Sequence, residues 1–369
     1  MSASKPSQPT PRRAAFIARR ALAACLPALA LTGTPAQALT TSCVATSQEL
    51  HDATVAAPTI NDNVLIKVRT GTYSAATGGA FSINQTLSQS AQIITISGGW
   101  TDCSTKSNGS QGTELIGTAT LPALYLNTGI SKTGNEIDVQ DLTLHNPIYA
   151  GLGIGACLRA YTATNNQIAI ERMRLEQCNS ASTGAAAGIV GNDGGDLLMR
   201  DIVAVNNAGN SSGGLDVETS QNGITRLSHL SITTSSANNA GALVGGLYVA
   251  NFNSATTYLS NSVSWGNDSD PATKDLYLGG AQIYLTRVHY GSKGGSVPAG
   301  DIMSGTGDPG FVAIGDPHLR SDSILIDSGV ADPEGGSGSY DADGAVRVQG
   351  SAVDVGAFES ELIFADGFE

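Results

Sequence analysis

Short segments that alternate apolar and polar residues recur along the middle of this chain at an interval of about 29 residues. Six of them end in polar turn residues: "QDLTLHN", "ERMRLEQCN", "RDIVAVNN", "SHLSITTS", "NSVSWGN" and "TRVHYGS". We take the central apolar residue of each segment as equivalent: Leu142, Met173, Val203, Leu230, Val263 and Val288. Successive residues of this series are 31, 30, 27, 33 and 25 positions apart. A sustained period of this length is typical of a solenoid, in which each repeat forms one coil.

A second series of short apolar segments follows the same period. Its equivalent positions are separated by 26, 32 and 29 residues, and they are Ile189, Leu215, Leu247 and Leu276. Two interleaved series with one period predict an all-β, right-handed parallel β-helix, because every coil then adds the same strands to the same sheets. An antiparallel sandwich is the alternative, but it does not require a constant period. We expect about eight coils between Val64 and Tyr290, in a rod roughly 40 Å long.

One helix is predicted at the start of the rod, over "TSQELHDATVAA". Thr46 and Glu49 form a capping-box pattern, and Leu50 and Val55 are expected on one apolar side. Because a solenoid needs its open ends covered, this helix is the predicted N-terminal cap. The predicted organisation is a β-helix with its cap over 39–300, an irregular acidic segment over 301–361 folded back on the last coils, and a tail over 362–369.

Residues 1–38 have the pattern of a secretory signal peptide. Five cations and no acid lie there, followed by an apolar run of about 11 residues and the small-residue site "AQA" ending at Ala38. The run is much shorter than the roughly 20 residues that span a bilayer. A lipoprotein box at "LAAC", ending at Cys25, is the alternative. The pattern predicts an exported protein, at the cell surface or outside the cell.

The charge balance argues against nucleic acid as a partner. The full chain carries 19 basic and 32 acidic residues, and removing the five signal cations leaves 14 basic residues and a formal charge of about −18. Acidic side chains are concentrated after residue 300, where Arg320 and Arg347 are the only basic residues. Such a segment favours a divalent cation or a solvated acidic surface.

Four cysteines remain after the signal: Cys43, Cys103, Cys157 and Cys178. An even number in an exported chain favours disulfides, and three pairings are possible. We expect Cys43 with Cys103 and Cys157 with Cys178, because these pairs are nearest in sequence. No pair has the short spacing that is typical of zinc ligands.

Motifs at both ends of the mature chain carry a resemblance to a known family. They are "CVATSQEL", "IKVRTGTY" and "ISGGWTDC" near the start, and "GDPGFV", "DPHLRSDSILIDSG", "DADGAVRVQG" and "DVGAFE" near the end. Together they resemble exported bacterial β-helix proteins that carry a choice-of-anchor Q region. The resemblance implies a pectate-lyase-like (pectin lyase-like) β-helix and a surface location, and it implies no activity, since most such proteins have none established.

The chain ends in "LIFADGFE", which resembles short C-terminal tails on exported proteins of some Gram-negative bacteria. Two interpretations stay open. The tail is a signal for export or sorting machinery, or it is a last apolar strand that covers the C-terminal end of the rod.

Catalysis is not expected from the repeat. The outward positions predicted by the two series contain no two stacked carboxylates, and they are Thr143, Arg174, Ala204, Ser231, Ser264, His289, Val190, Asp216, Tyr248 and Tyr277. A calcium-dependent polysaccharide lyase would need such a stack, and a glycoside hydrolase would need a pair of acids. Loops could supply Asp201, Glu218 or Asp268 to an enzyme. We therefore predict a non-catalytic protein for adhesion or glycan contact, with a polysaccharide lyase or glycoside hydrolase as the alternative.

Two ligand sites are predicted. Tyr248 and Tyr277 occupy the same register on successive coils, so their rings could form a platform for a sugar, or a stack that only stiffens the sheet. Asp341 and Asp343 in "YDADGAVR" resemble the opening of a calcium loop, which would need completion by other acids such as Asp327 or Asp354. An ordinary Asp-Gly turn is the alternative there.

Overall fold

The computed structural model is a parallel β-solenoid of about seven turns. It describes residues 37–87, 89–150, 155–181, 187–239, 242–269 and 274–360. The predicted signal peptide and the tail over 362–369 therefore lie outside the described residues, apart from positions 37 and 38. The parallel strand pairing confirms the predicted all-β solenoid, which has about one turn fewer than expected.

Two parallel sheets run the length of the rod. Sheet A stacks ten strands in the order β1 (Leu39–Val44), β2 (Asn63–Arg69), β5 (Ile93–Trp100), β8 (Glu136–Tyr149), β10 (Gln167–Ser180), β12 (Asp196–Val205), β15 (Ile224–Thr233), β18 (Thr256–Trp265), β21 (Ile283–Tyr290) and β23 (Gly300–Ile302). Five shorter strands join it at its side: β3 (Gly71–Ser74), β6 (Thr113–Ile116), β13 (Ala208–Gly209), β16 (Ser236–Ala237) and β19 (Asp268–Ser269).

Sheet B stacks eight strands: β4 (Ser82–Asn84), β7 (Leu124–Asn127), β9 (Leu158–Ala163), β11 (Gly188–Asp193), β14 (Leu215–Ser220), β17 (Leu247–Asn251), β20 (Leu276–Gly279) and β22 (Lys293–Gly295). A separate antiparallel hairpin follows the rod, formed by β24 (Phe311–Ala313) and β25 (Asp316–Leu319). The helices are α1 (Ser47–Ala56) and α2 (Ala75–Gly78), with 3-10 turns at Ala57–Thr59 and Gln85–Leu87.

The core lies between the two sheets and is built from aliphatic side chains stacked in register. Ile170 pairs with Met199, and the same column continues through Leu227, Leu259 and Leu285, all of them buried. Neighbouring strands in a sheet are about 4.8 Å apart, so each coil places its apolar residue directly on that of the coil before. Burial of this column explains why the period is kept so regularly in the sequence.

Each long strand of sheet A is interrupted at one position by a residue in the left-handed region. The φ angle is positive at one aligned residue of each strand from β8 to β21: Asp141, Arg172, Asp201, His229, Asn261 and Arg287; β10 has a second such residue at Gln177. The aligned residues form one column, which we call the left-handed column. Since such a residue breaks the two-residue alternation, the inward face changes phase after it: Leu197 and Met199 point inward before Asp201, and Ile202 and Ala204 after it.

This change of phase corrects the predicted equivalences at two positions. Met173 pairs with Ile202 and not with Val203, and Ser262, not Val263, pairs with Val288. Val203 and Val263 therefore lie on the outer face of sheet A, while Ala204 and Ser264, predicted to face outward, are buried inward. The sequence suggested the wrong phase because an apolar residue was taken as an inward one.

The second series needs one similar correction. In sheet B the residue equivalent to Leu215 is Gly188, whereas Ile189 pairs with Asp216 on the outer face. Val190, predicted outward, is fully buried in the core. The positions of Asp216, Tyr248 and Tyr277 on one outer row are as predicted.

Helix α1 begins as the sequence predicted. The Thr46 hydroxyl accepts from the backbone N–H of Glu49, and the Glu49 carboxylate accepts from the backbone N–H of Thr46. Leu50 is completely buried against the first coils. Val55, expected beside it, is 51% exposed, because a residue five positions later lies on another side of a helix with 3.6 residues per turn. Thr54 occupies the buried position.

Both predicted disulfides are present. Cys43 of β1 is bonded to Cys103, and their Cα atoms are 5.8 Å apart; the Cα atoms of Cys157 and Cys178 are 5.7 Å apart. Cys157 precedes β9 and Cys178 lies in β10, so the second bond joins sheet B to sheet A inside the core. Each closed loop contributes roughly 3 to 4 kcal/mol in the chain-entropy account.

The chain after the last coil folds back over sheet A. We call residues 303–360 the C-terminal segment. It was expected on the last coils only, but it extends much further: the backbone N–H of Gly356 donates to the Asn261 carbonyl (2.9 Å), whereas Ser110, near the other end, donates to the Ala342 carbonyl (2.7 Å). Strand β23 crosses the predicted boundary at residue 300 and pairs with β21.

The left-handed column is the main attachment line for this segment. Asp201 forms an ion pair with Arg347, His229 Nδ1 donates to the Gly356 carbonyl (3.2 Å), and Asn261 binds the backbone of Val330. The motif "DVGAFE" supplies apolar contacts, since Ala357 and Phe358 pack on Val203. This motif therefore fixes the C-terminal segment to the rod.

Candidate functional site

The two tyrosines predicted as a platform are stacked on the outer face of sheet B. Tyr248 pairs with Tyr277 across β17 and β20, and their ring centroids are 5.6 Å apart with an angle of 18° between the planes. Both rings are half-buried. The predicted stack is thus confirmed, while its role in binding a ligand stays a prediction.

Asp216 stands next to this stack, one coil earlier in the same row. It pairs with Tyr248, yet its Oδ1 atom is buried without a hydrogen-bond partner in the described part of the chain. Burial, followed by the charge of the neighbouring Glu218, raises the pKa of Asp216 to about 7. Burial and the same two carboxylates raise the pKa of Tyr248 to about 12. Asp216 is therefore a carboxyl group that changes charge near neutral pH.

The row continues toward the N-terminal end of sheet B. Ile189 pairs with Asp216 and Arg159, and Arg159 pairs with Tyr125 and lies over its ring at 5.2 Å. We call these six outward residues the tyrosine row: Tyr125, Arg159, Ile189, Asp216, Tyr248 and Tyr277. Five strand spacings of about 4.8 Å give the row a length of roughly 24 Å. It runs along the rod axis.

A second candidate site is a groove of about 570 Å³ on sheet A, which we call the polar groove. Its floor comes from the outward residues of β3, β6, β8 and β10, and one wall comes from strand β25 of the C-terminal segment. The polar side chains that line it are Thr72, Gln111, Glu114, Thr143, His145, Arg174, Glu176, Asp316 and His318. Because four strands and the segment converge here, the groove exists only in the folded chain.

The charged side chains of the groove are arranged in pairs. His145 Nε2 lies 2.9 Å from a carboxylate oxygen of Glu114, whose other oxygen accepts from the Thr72 hydroxyl at 3.0 Å. One coil later, Arg174 Nε donates to Glu176 Oε2 at 2.8 Å. These residues belong to two adjacent outward rows of the same sheet, so the strand register itself sets their positions.

His318 connects the wall of the groove to the rest of the segment. Its Nδ1 contacts Asp316, its Nε2 lies 2.8 Å from Asp343 Oδ2, and its ring stacks on Phe358 with centroids 3.8 Å apart. The hydrogen bond to Asp343, helped by Asp316, raises the pKa of His318 to about 9 against the effect of burial. The imidazolium is therefore the form present at neutral pH.

The predicted calcium ligands are engaged in other contacts. Asp341 is buried, and its carboxylate accepts the backbone N–H groups of Asp343, Ala345 and Glu359. Asp343 accepts from Gln111 at 3.0 Å and contacts His318. Within the described ranges no three His, Cys, Asp or Glu side chains are grouped to hold a metal ion. Calcium binding here stays a prediction, which thermal melts with Ca²⁺ and with chelator would test.

The candidate loop acids of the enzyme alternative do not meet. Asp201 lies in the left-handed column with Arg347, Glu218 lies on the outer face of sheet B, and Asp268 is exposed beside Lys274. The polar groove brings acids and bases together instead. Sequence reasoning missed it, although Arg174, Glu176 and His145 lie within the repeated segments, because convergence depends on the register and on the C-terminal segment.

In the part of the chain that the structure describes, none of the helices has the length and apolar character needed to cross a membrane. No family model, curated protein or solved structure matches this chain. The resemblance to the choice-of-anchor Q proteins accordingly rests on the motifs quoted above, and the fold rests on the strand register.

Proposed function

We propose that this protein is exported and binds a glycan, without cleaving it, through the tyrosine row on sheet B. The observation that carries the proposal is the stacked pair of Tyr248 and Tyr277 in one row with Asp216. Aromatic rings offer flat apolar surfaces to the C–H faces of sugars, and a neighbouring carboxyl group supplies a hydrogen-bonding partner for hydroxyls. Two disulfides in one chain favour an oxidising compartment, which agrees with export.

The orientation of the row favours an extended glycan chain as its ligand. The six residues succeed one another along the rod axis at the strand spacing of about 4.8 Å, so an extended chain lying along the axis contacts equivalent positions on successive coils. A row of this length favours a polymer over a small molecule. This ligand also suits adhesion at a cell surface, the role that the sequence predicts.

Accessibility supports the choice of this face. The contacts of the C-terminal segment described above fall on the outer face of sheet A, and no hydrogen bond between described residues joins that segment to the tyrosine row. Arg159 and Glu218, at the row and beside it, are exposed. A ligand can therefore reach the row without displacing a described part of the chain.

The test is binding of the mature protein to an array of neutral and acidic glycans, compared with the variant Tyr277→Ala. We expect the variant to lose at least tenfold in affinity for at least one class of the retained glycans. Tyr284→Ala is the matched control, because Tyr258 and Tyr284 form an equivalent stack on sheet A with centroids 5.4 Å apart. Equal losses in both variants, or none in Tyr277→Ala, would reject the tyrosine row as the site.

The same glycans are to be incubated with the protein in a depolymerisation assay, with and without Ca²⁺. Turnover that disappears when Glu114 or Glu176 of the polar groove is replaced by Gln would establish the lyase or hydrolase alternative.

The sorting role of the tail is tested separately. If the tail is a sorting signal, deleting 362–369 should change where the protein accumulates and leave its melting temperature nearly unchanged. If the tail is an end cap, the deletion should lower the melting temperature and leave the location unchanged.

A further inference from the structure

The polar groove contains charged side chains that are paired but not saturated. Within the described residues, no hydrogen bond uses either Nη of Arg174, Oε1 of Glu176 or Oδ2 of Asp316. His145 contacts Glu114 through Nε2 only. The groove therefore presents open donors and open acceptors side by side, in a volume of about 570 Å³ that can hold a sugar residue.

We propose that the polar groove is a second binding site, that its ligand is an uncharged, hydroxyl-rich group such as a neutral sugar residue, and that docking of the C-terminal segment completes it. Each hydroxyl both donates and accepts, so vicinal hydroxyls match an arginine edge and a carboxylate oxygen placed next to each other. This inference goes beyond the proposed function and does not depend on the tyrosine row.

Charge pairing excludes the simpler ionic ligands. Arg174 is already paired with Glu176, and His318 is held between Asp316 and Asp343. An anionic group at Arg174 would meet the carboxylates of Glu176 and Asp316 at close range, and a cation would meet Arg174 and His318. A neutral ligand avoids this repulsion and still forms hydrogen bonds to charged groups. Such hydrogen bonds are stronger than those between two neutral groups.

The C-terminal segment completes the site through a continuous chain of contacts. Asp316 and His318 form the wall, His318 binds Asp343, and Asp343 accepts from Gln111, which lines the floor. Phe358 of the buried motif supports the His318 ring from the other side. His318 uses both ring nitrogens in this way, so it is a positioning residue that fixes the wall against the floor.

The first experiment measures binding to the same glycan array with two variants: Arg174→Gln removes the guanidinium donors, and Glu176→Gln replaces one carboxylate oxygen with an amide NH₂ at the same side-chain size. We expect neutral glycans to be retained by the wild type and to lose at least tenfold in affinity in both variants. Neutral glycans whose retention depends on Arg174 and Glu176 should still bind Tyr277→Ala, whereas glycans held by the tyrosine row should not, which separates the two sites. Circular dichroism and melting temperature verify folding of each variant.

The second experiment tests the role of His318 through the pH profile of neutral-glycan binding. The groups that face it are Asp316, Asp343 and, across the groove, Arg174 and Glu176. Wild-type affinity should fall as the pH rises through about 9, where His318 loses its proton, and this step should be absent in His318→Ala. Arg320→Ala is the matched control, because Arg320 lies in the same segment but contacts Asp322 and Asp308.

Three results would overturn the proposal. They are retention of acidic glycans alone, absence of any neutral-glycan binding that depends on Arg174, and an unchanged pH step in His318→Ala. The first would replace the neutral ligand with an anionic one, the second would remove the site, and the third would remove the part assigned to the C-terminal segment.

Discussion

The outer faces of the two sheets differ sharply, although one solenoid with one period builds both. On sheet A the outward row contains Val203 and Val263, which are buried beneath the C-terminal segment. On sheet B the outward row contains Tyr248 and Tyr277, which are half-buried and form no hydrogen bond with the described residues of that segment. The packing inside the coils thus fixes which residues face inward. Whether the C-terminal segment covers a face determines which residues occupy its outer positions.

The charges of the two faces follow the same division. On sheet A, Arg347 is 1% exposed and paired with Asp201 and Glu359, since a buried charge is stable only with partners. On sheet B, Asp216 has an acid beside it and no cation, and its pKa is raised to about 7. Burial also raises the pKa of Asp201 and of Glu359 to about 7, although Arg347 opposes that shift. The two faces therefore differ in whether a cation is paired with the buried acid.

The largest expected effect is the loss of the buried cation. Arg347→Met leaves Asp201 and Glu359 buried without their partner, so the free energy of unfolding should fall by about 3 to 5 kcal/mol. Arg159→Met removes an exposed cation from the open face, where we expect a change of no more than about 1 kcal/mol. Urea denaturation measures both. Similar values for the two variants would mean that the segment is not held by this ion pair.

Two aliphatic residues allow the same comparison without charge. Val203→Ala removes methyl groups from a buried contact with Ala357 and Phe358, and should cost about 2 kcal/mol. Ile189→Ala on the open face removes a larger group that is partly in water, and should cost about 1 kcal/mol or less. The denaturation midpoints decide the order, and a larger loss at Ile189 would show that a further part of the chain covers sheet B.

Asp216 should make stability depend on pH. Its folded pKa of about 7 lies above the ordinary value of 3.8, so the folded chain binds the proton more tightly than the unfolded chain does. Its contribution is thus most favourable below about pH 4 and is lost as the pH rises through 7. Asp216→Asn should therefore be more stable than the wild type at pH 8, by about 1 to 2 kcal/mol, and nearly equal at pH 4. A constant difference at both values would contradict the raised pKa.

The smallest expected effect on stability is that of the tyrosine stack. Tyr277→Ala removes an aromatic pair from a half-open surface, which should cost about 0.5 to 1.5 kcal/mol. Tyr284→Ala on sheet A should cost a similar amount, since its stack with Tyr258 has nearly the same geometry. The thermal melts should thus agree while glycan binding differs. A much greater loss for Tyr277→Ala would favour a structural role for the stack.

Part of the candidate site could be predicted from the sequence, because the repeat period sets which residues of successive strands lie side by side. The stacking of Tyr248 on Tyr277 follows from the period alone, because equivalent positions on successive coils must pair. Both disulfide pairings also followed from spacing. The outward orientation of Val203 could not be predicted from spacing, because the left-handed residue Asp201 shifts the inward–outward alternation of its strand. The sequence does not show that this Asp has a positive φ angle.

The sequence by itself determined the parallel solenoid, since a repeated apolar column can be buried only by stacking one coil on the next. It also determined the capping box of α1, which needs only Thr46 and Glu49 three residues apart. Only the tertiary structure decided where the C-terminal segment lies, and therefore that Asp316 and His318 close a groove over Arg174. That contact joins residues more than a hundred positions apart through side-chain pairing and burial, and no local pattern encodes it.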